Sequence, residues 1–154
     1  MNKVNYLAWI LSAEAVGLLS GLLSRGGIQR YSLEAVKPPL TPPAWLFPVV
    51  WTILYALMGI SAARISVLAE GKQRSRTLNL YVIQLVVNFF WSLIFFNLNT
   101  YGLSLLWLSV LWGLVLAMIL NMRFLDLSAA KFQIPYLIWV TFAVYLNYGV
   151  WILN

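Results

Sequence analysis

Five runs of mostly apolar residues, each about twenty long and separated by short polar stretches, account for nearly the whole chain. A run of that length crosses a bilayer as a helix, because about twenty residues rising about 1.5 Å each cover a hydrocarbon core about 30 Å thick. Composition points the same way: 62% of the 154 residues are hydrophobic and 9% are charged, whereas charged residues make up about a quarter of a soluble domain. The reading is an all-α integral membrane protein, one domain over 1–154 built as a bundle of five transmembrane helices.

The spans are expected at Val4–Leu23, Ala44–Leu68, Thr77–Phe96, Tyr101–Met122 and Phe132–Leu153. The first is longer than a signal-peptide apolar region and contains Glu14, so a retained helix is expected. Between the first two spans lies a loop of about twenty residues, Ser24–Pro43, long for a compact bundle and therefore a candidate functional segment. Its Gly26-Gly27 pair reads as flexible, and Pro38, Pro39, Pro42 and Pro43 make its far end rigid and non-helical. Lys3, Lys72, Arg74, Arg76, Arg123 and Lys131 fall on one side of the membrane and Arg25, Arg30 and Lys37 on the other. That excess implies an amino terminus inside.

The chain has neither Cys nor His. Their absence removes the usual ligands of zinc, haem iron and iron–sulfur clusters and the commonest general base, so no metal and no cofactor is expected. The net charge of +6 is explained by topology and lipid headgroups, and nucleic acid is not an expected partner. No internal repeat of the transporter kind and no ring-forming row of carboxylates is visible.

What remains is a set of aromatic and amide positions. Trp51, Tyr55 and Met58 share a face of the second span, directly after the proline-rich segment. Trp45 suits an interfacial aromatic belt, but Trp51 lies about 9 Å deeper. In the third span Gln84, Asn88, Trp91 and Phe95 form a polar-to-aromatic stripe, and in the fifth Trp139, Ala143 and Asn147 form another, with small Ala143 leaving room between larger groups. Amides in a bilayer must meet protein, ligand or water. Interhelical hydrogen bonding is the structural alternative for each Asn. Taken together, three helices supply an apolar cavity with sparse hydrogen-bonding groups, a chemistry suited to a flat hydrophobic ligand. Glu14 shares a face with Gly17 and Gly21, whose spacing favours close helix approach, and Arg64 is expected to snorkel.

Three ordered segments, PPLTPPAWLFPVVWTILYALMG from Pro38, QLVVNFFWSLIFF from Gln84 and PYLIWVTFAVYLNYGVWILN from Pro135, resemble the translocator protein family, also called tryptophan-rich sensory proteins or peripheral-type benzodiazepine receptors. The resemblance covers essentially the whole chain. It implies a five-helix bundle, often a homodimer among membrane lipid, that binds porphyrins such as protoporphyrin IX and isoquinoline carboxamides, with steroids bound by animal members. The family's pocket positions fall here on Trp51, Asn88, Trp91, Trp139, Ala143 and Asn147, beneath the long loop. As a receptor or carrier of tetrapyrroles, the protein would use Arg25, Arg30 or Lys37 for the propionates. The resemblance also implies an enzymatic alternative, light- and oxygen-dependent porphyrin degradation in which Trp51 and Trp139 are catalytic. A purely structural protein is the third reading. After Tyr148 the chain reads GVWILN, without the Lys or Arg that the animal proteins' proposed cholesterol motif requires.

Overall fold

Residues 5–154 are described by the structure, a computed structural model; Lys3 and Val4 lie outside the described residues. Helix α1 (Tyr6–Leu23) is followed by a short α2 (Arg25–Glu34), then α3 (Leu46–Leu68), α4 (Gly71–Ser92), α5 (Tyr101–Leu125) and α6 (Leu127–Leu153). Helix α4 continues into a π-helical turn, Leu93–Asn97, closed by the Leu98 N–H on the Leu93 carbonyl at 3.0 Å. Five of these are long and apolar enough to cross a membrane: α1, α3, α4 with its π turn, α5 and α6. The protein is an all-α, multi-pass integral membrane protein, and its described residues contain no strand.

The spanning helices pack in the order α1, α3, α6, α5, α4 and back to α1, so the bundle closes on itself, and α3 also meets α4 across it. Its polarity is reversed relative to a soluble protein. Leu7, Leu18, Ile53, Leu106 and Ile138 point outward, whereas Gln84, Asn88, Gln133 and Asn147 are buried. Lipid solvates an aliphatic side chain at no cost but offers an amide no partner, so the polar groups turn inward. An apolar core of Met58, Ile65, Val115, Met118, Met122 and Val140 fills the remaining space.

Two span boundaries differ from the sequence expectation. The basic stretch after Glu70 is not a turn but the opening of α4, which starts at Gly71 with φ +69°. Charged residues continue a helix readily where it stands in water and headgroups. Likewise, the polar segment expected between Arg123 and Lys131 shrinks to Asp126, which caps α6 by accepting from the Ala129 N–H at 3.3 Å. The long loop is also corrected: half of it is α2. Gly27 there is no flexible joint, because a Cβ would overlap the Phe96 carbonyl, and Tyr31 packs edge-on against Phe95 and Phe96 at 5.2 and 5.3 Å. Beyond α2 the chain is non-helical to Pro43, as its prolines require.

Close approach between α1 and α3 rests on a different glycine pair from the one expected. Gly17 faces the Tyr55 ring and Gly59 faces the α1 backbone, where a Cβ would sit 2.7 Å from the Ile10 nitrogen, but Gly21 has open space around it. Gly17→Leu and Gly59→Leu should each destabilise the protein by about 1–3 kcal/mol through overpacking, with Gly21→Leu near neutral. Thermal unfolding in one detergent compares them, and a Gly21 variant as damaging as Gly59→Leu would refute the assignment.

Arg64 does not snorkel freely; it forks onto Asp126, Nε to Oδ2 at 2.5 Å and Nη2 to Oδ1 at 3.3 Å, tying the end of α3 to the α5–α6 junction. The Arg64 hydrogen bond holds the Asp126 carboxyl below its ordinary value of 3.8. A carboxyl lowered in the folded state contributes stability that is complete above its unfolded value and vanishes as pH falls through the folded one. Unfolding temperatures followed from neutral pH to below about pH 4 should show an acid-side decline in the parent that Asp126→Asn lacks. Parallel curves would exclude the pair as its source.

Candidate ligand site

Gln84 and Asn88 stand one turn apart on α4, so both amides face the same neighbours. Those neighbours are phenols. The Tyr55 hydroxyl donates to Asn88 Oδ1 at 2.9 Å, Asn88 Nδ2 donates to the Tyr136 hydroxyl at 2.7 Å, and that hydroxyl donates to Gln84 Oε1 at 2.7 Å. All four side chains are buried, so the relay joins α3, α4 and α6 in the interior. Asn88 is thus occupied by protein partners. Trp51 is half-buried beside this relay, with ring centroids 5.7 Å from Tyr55 and 6.2 Å from Tyr136.

A second cluster lies toward α2. Trp91 Nε1 donates to Asn147 Oδ1 at 3.1 Å, and Asn147 Nδ2 donates to the Tyr101 carbonyl at 2.9 Å. Trp91 stacks on Phe95 at 5.1 Å, and Phe95 meets Tyr101 at 4.9 Å, which extends the aromatic wall to Tyr31 of α2. Ala143, half-buried, packs against the central core. Trp139 takes its aromatic partners from Phe47 and Phe142, each at 5.7 Å, and lines an apolar groove of 340 Å³ between α3 and α6 with Val50, Ile53, Pro135 and Ile138. The expected residues therefore fall into three groups: Trp51 with the relay, Trp91 and Phe95 with Asn147 toward α2, and Trp139 on the groove between α3 and α6.

Two of the three loop cations have structural partners. Arg30 donates to the Phe96 carbonyl at 2.7 Å and the Asn97 carbonyl at 3.2 Å, groups that the π turn leaves open. Lys37 closes α2 by donating to the Tyr31, Ser32 and Ala35 carbonyls at 3.2–3.4 Å. Arg25 is exposed. Asn154 ties down the following segment, accepting from the Val36 N–H at 3.0 Å and donating to its carbonyl at 2.8 Å, while the Tyr145 hydroxyl donates to the Pro39 carbonyl at 2.8 Å. Burial pushes the Tyr31 phenol up to about 12, so it stays protonated under that segment at physiological pH.

Sequence reasoning missed Tyr136, Phe47 and Tyr101. Only Tyr136 left a signal: two amides one turn apart in a bilayer require a donor or acceptor from another span, and the fifth has a tyrosine beside Pro135.

Residues 7–152 match the model of the TspO/MBR family. The chain belongs to that family. It is 44% identical to "Protein CrtK" of Rhodobacter capsulatus over 100% of this chain and 95% of that protein. It is 33% identical to "Tryptophan-rich protein TspO" of Archaeoglobus fulgidus, covering 100% and 99% of the two chains. A more distant host supplies a similar protein too: "Translocator protein" of Ovis aries is 33% identical over 88% of this chain and 81% of its own.

In this TspO/MBR protein Asn88→Ala would strip both phenols of a partner. The expected loss is about 1–2 kcal/mol, since buried hydrogen bonds between membrane helices average about 0.6 kcal/mol and unpaired buried groups cost more. Tyr55→Phe should cost less, because it removes one of the three relay bonds and leaves Asn88–Tyr136 and Tyr136–Gln84 in place. Chemical unfolding in a fixed detergent ranks the two, and the reverse order would break the proposed relay.

Proposed function

We propose that this protein is a membrane receptor or carrier for flat hydrophobic ligands of the tetrapyrrole class, protoporphyrin IX among them, and that isoquinoline-carboxamide-type molecules compete for the same aromatic site. Membership in the TspO/MBR family supports the ligand class. The observation that carries the reading is the state of the indoles. Trp91, Trp107 and Trp112 donate to Asn147, Val87 and Thr141. Trp9, Trp45, Trp51, Trp139 and Trp151 make no such bond among the described residues, and of these Trp51 and Trp139 are half-buried on α3 and α6, within the segments that resemble the family, with rings beside other aromatics. A macrocycle gains from stacking on such faces, and the indole N–H groups remain to meet its polar atoms.

Arg25 is the cation of this loop most accessible to a propionate, since Arg30 and Lys37 already hold carbonyls. We place the protein as a homodimer in a bacterial cytoplasmic membrane with its amino terminus inside; Lys72, Arg74, Arg76, Arg123 and Lys131 face that side and support the orientation. The flanking of Trp51 by two tyrosines favours one further reading, oxidation of bound porphyrin through these indoles under light and oxygen.

Trp51→Phe and Trp139→Phe separate the readings. Protoporphyrin IX affinity, measured by fluorescence quenching, should weaken by about 1 kcal/mol, about fivefold, for each lost stacking area and hydrogen bond. Loss of porphyrin absorbance under illumination is followed in parallel. Loss that tracks occupancy in every variant leaves binding alone, a fall far beyond occupancy assigns the indoles to the reaction, and absence of saturable binding by the parent rejects the site.

A further inference from the structure

At the end of the bundle remote from α2, the first turns of α4 present a shallow, open groove lined by residues of that helix alone, among them Lys72, Arg74, Arg76, Asn79, Leu80 and Ile83. Lys72, Arg76, Leu80 and Ile83 fall at i, i+4, i+8 and i+11, so they form one stripe along the helix. Polarity along that stripe changes with depth: cations first, then an amide, then aliphatic side chains. From Arg76 to Ile83 the helix rises about 10 Å, so a headgroup held at the cations puts Ile83 within one leaflet's hydrocarbon, about 15 Å thick. Ile83 is 47% exposed, open to an acyl chain.

Arg74 is held in place, its Nε donating to the Ser66 carbonyl at the end of α3 at 2.9 Å, which leaves the other guanidinium N–H groups for an anion. Lys72 and Arg76 are exposed one turn apart on the stripe. The carboxylate of Glu70, exposed just before the helix, is the acidic group nearest in sequence and opposes three cations. We propose that this groove is a binding site for one anionic phospholipid, its phosphodiester held by Lys72, Arg74 and Arg76 and one acyl chain laid along Leu80 and Ile83. A free phosphate would use the cations but not the aliphatic end, and that end assigns the site to a lipid. The site is separate from the aromatic mouth, which lies near the opposite membrane surface.

Native mass spectrometry of detergent-solubilised protein, titrated with phosphatidylglycerol and phosphatidylcholine of matched chains, tests this. The parent should retain phosphatidylglycerol preferentially, and Lys72→Gln/Arg76→Gln should lose about fivefold in that preference per charge removed. Arg123→Gln/Lys131→Gln removes two exposed charges from the same membrane side, outside the groove, and should leave the preference unchanged. Ile83→Asn should weaken retention of both long-chain and short-chain forms unequally, the long-chain form more. Should the double variant fail to fold, each single Gln variant carries the same test. Equal losses in the two charge pairs would reduce the effect to general surface potential and overturn the site. Displacement of the lipid by millimolar inorganic phosphate, or indifference to Ile83→Asn, would overturn its assignment to a lipid.

Discussion

An amide or hydroxyl in the hydrocarbon of a bilayer has nothing to bond except other protein, and that constraint organises this molecule. Four buried side chains, Tyr55, Asn88, Tyr136 and Gln84, meet it by bonding in series from α3 through α4 to α6. Apolar surface is a weak organiser here because lipid and Leu attract one another about as well as Leu attracts Leu. Directional bonds supply the register that hydrophobic burial supplies in water. The Ser61 hydroxyl on the Ala129 carbonyl and the Gln133 amide on Ser61 and the Leu57 carbonyl extend the same device along the α3–α6 seam.

Because the amides are consumed in holding helices together, the surface left for a ligand is aromatic. Trp51 leans on two tyrosines whose hydroxyls are already committed, so its position is set by side chains that cannot easily turn away. Above it the segment from Ser24 to Pro43 is held at several points: Gly27 and Arg30 against the π turn, Pro38 against Gly149, and Val36 on Asn154. The π turn matters to that arrangement. Widening the helix redirects the Phe96 and Asn97 carbonyls outward, and Arg30 fills the vacated bonds.

The number of spans and the all-α class were legible in the sequence because hydropathy reports directly on a bilayer of fixed thickness, and the stripe Gln84, Asn88, Trp91 and Phe95 was legible because helical geometry alone puts those residues on one face. Helix ends were less so. At Gly71 and Asp126 charged residues signal exposure to water, which a helix end and a loop share, and no hydropathy measure distinguishes them. Helix α2 was hidden for another reason: its two glycines read as flexibility, whereas Gly27 is needed so that α2 can touch the Phe96 backbone. The partner of an amide was the hardest feature to see. Asn88 and Asn147 announce that they need partners, but Tyr136 and the Tyr101 carbonyl become those partners only through the packing order of the helices.

That last point separates two kinds of residue that look alike in a tryptophan-rich chain. Trp107 and Trp112 donate to Val87 and Thr141, each pinning α5 to a neighbouring helix, and are structural by the same logic as the amides. Trp91 belongs with them through Asn147. An indole bound in this way has surrendered its one polar atom to the scaffold and offers a ligand only a ring face. Trp51 and Trp139 keep both the face and the N–H, and they stand on α3 and α6, two helices that pack directly on one another. A ligand that bridges them would therefore couple to the α3–α6 seam itself, where Arg64, Ser61 and Gln133 hold the opposite end. The two ends of the α3–α6 pair thus differ in kind, with directional bonds at Ser61, Gln133 and Arg64 and unbonded indoles at Trp51 and Trp139.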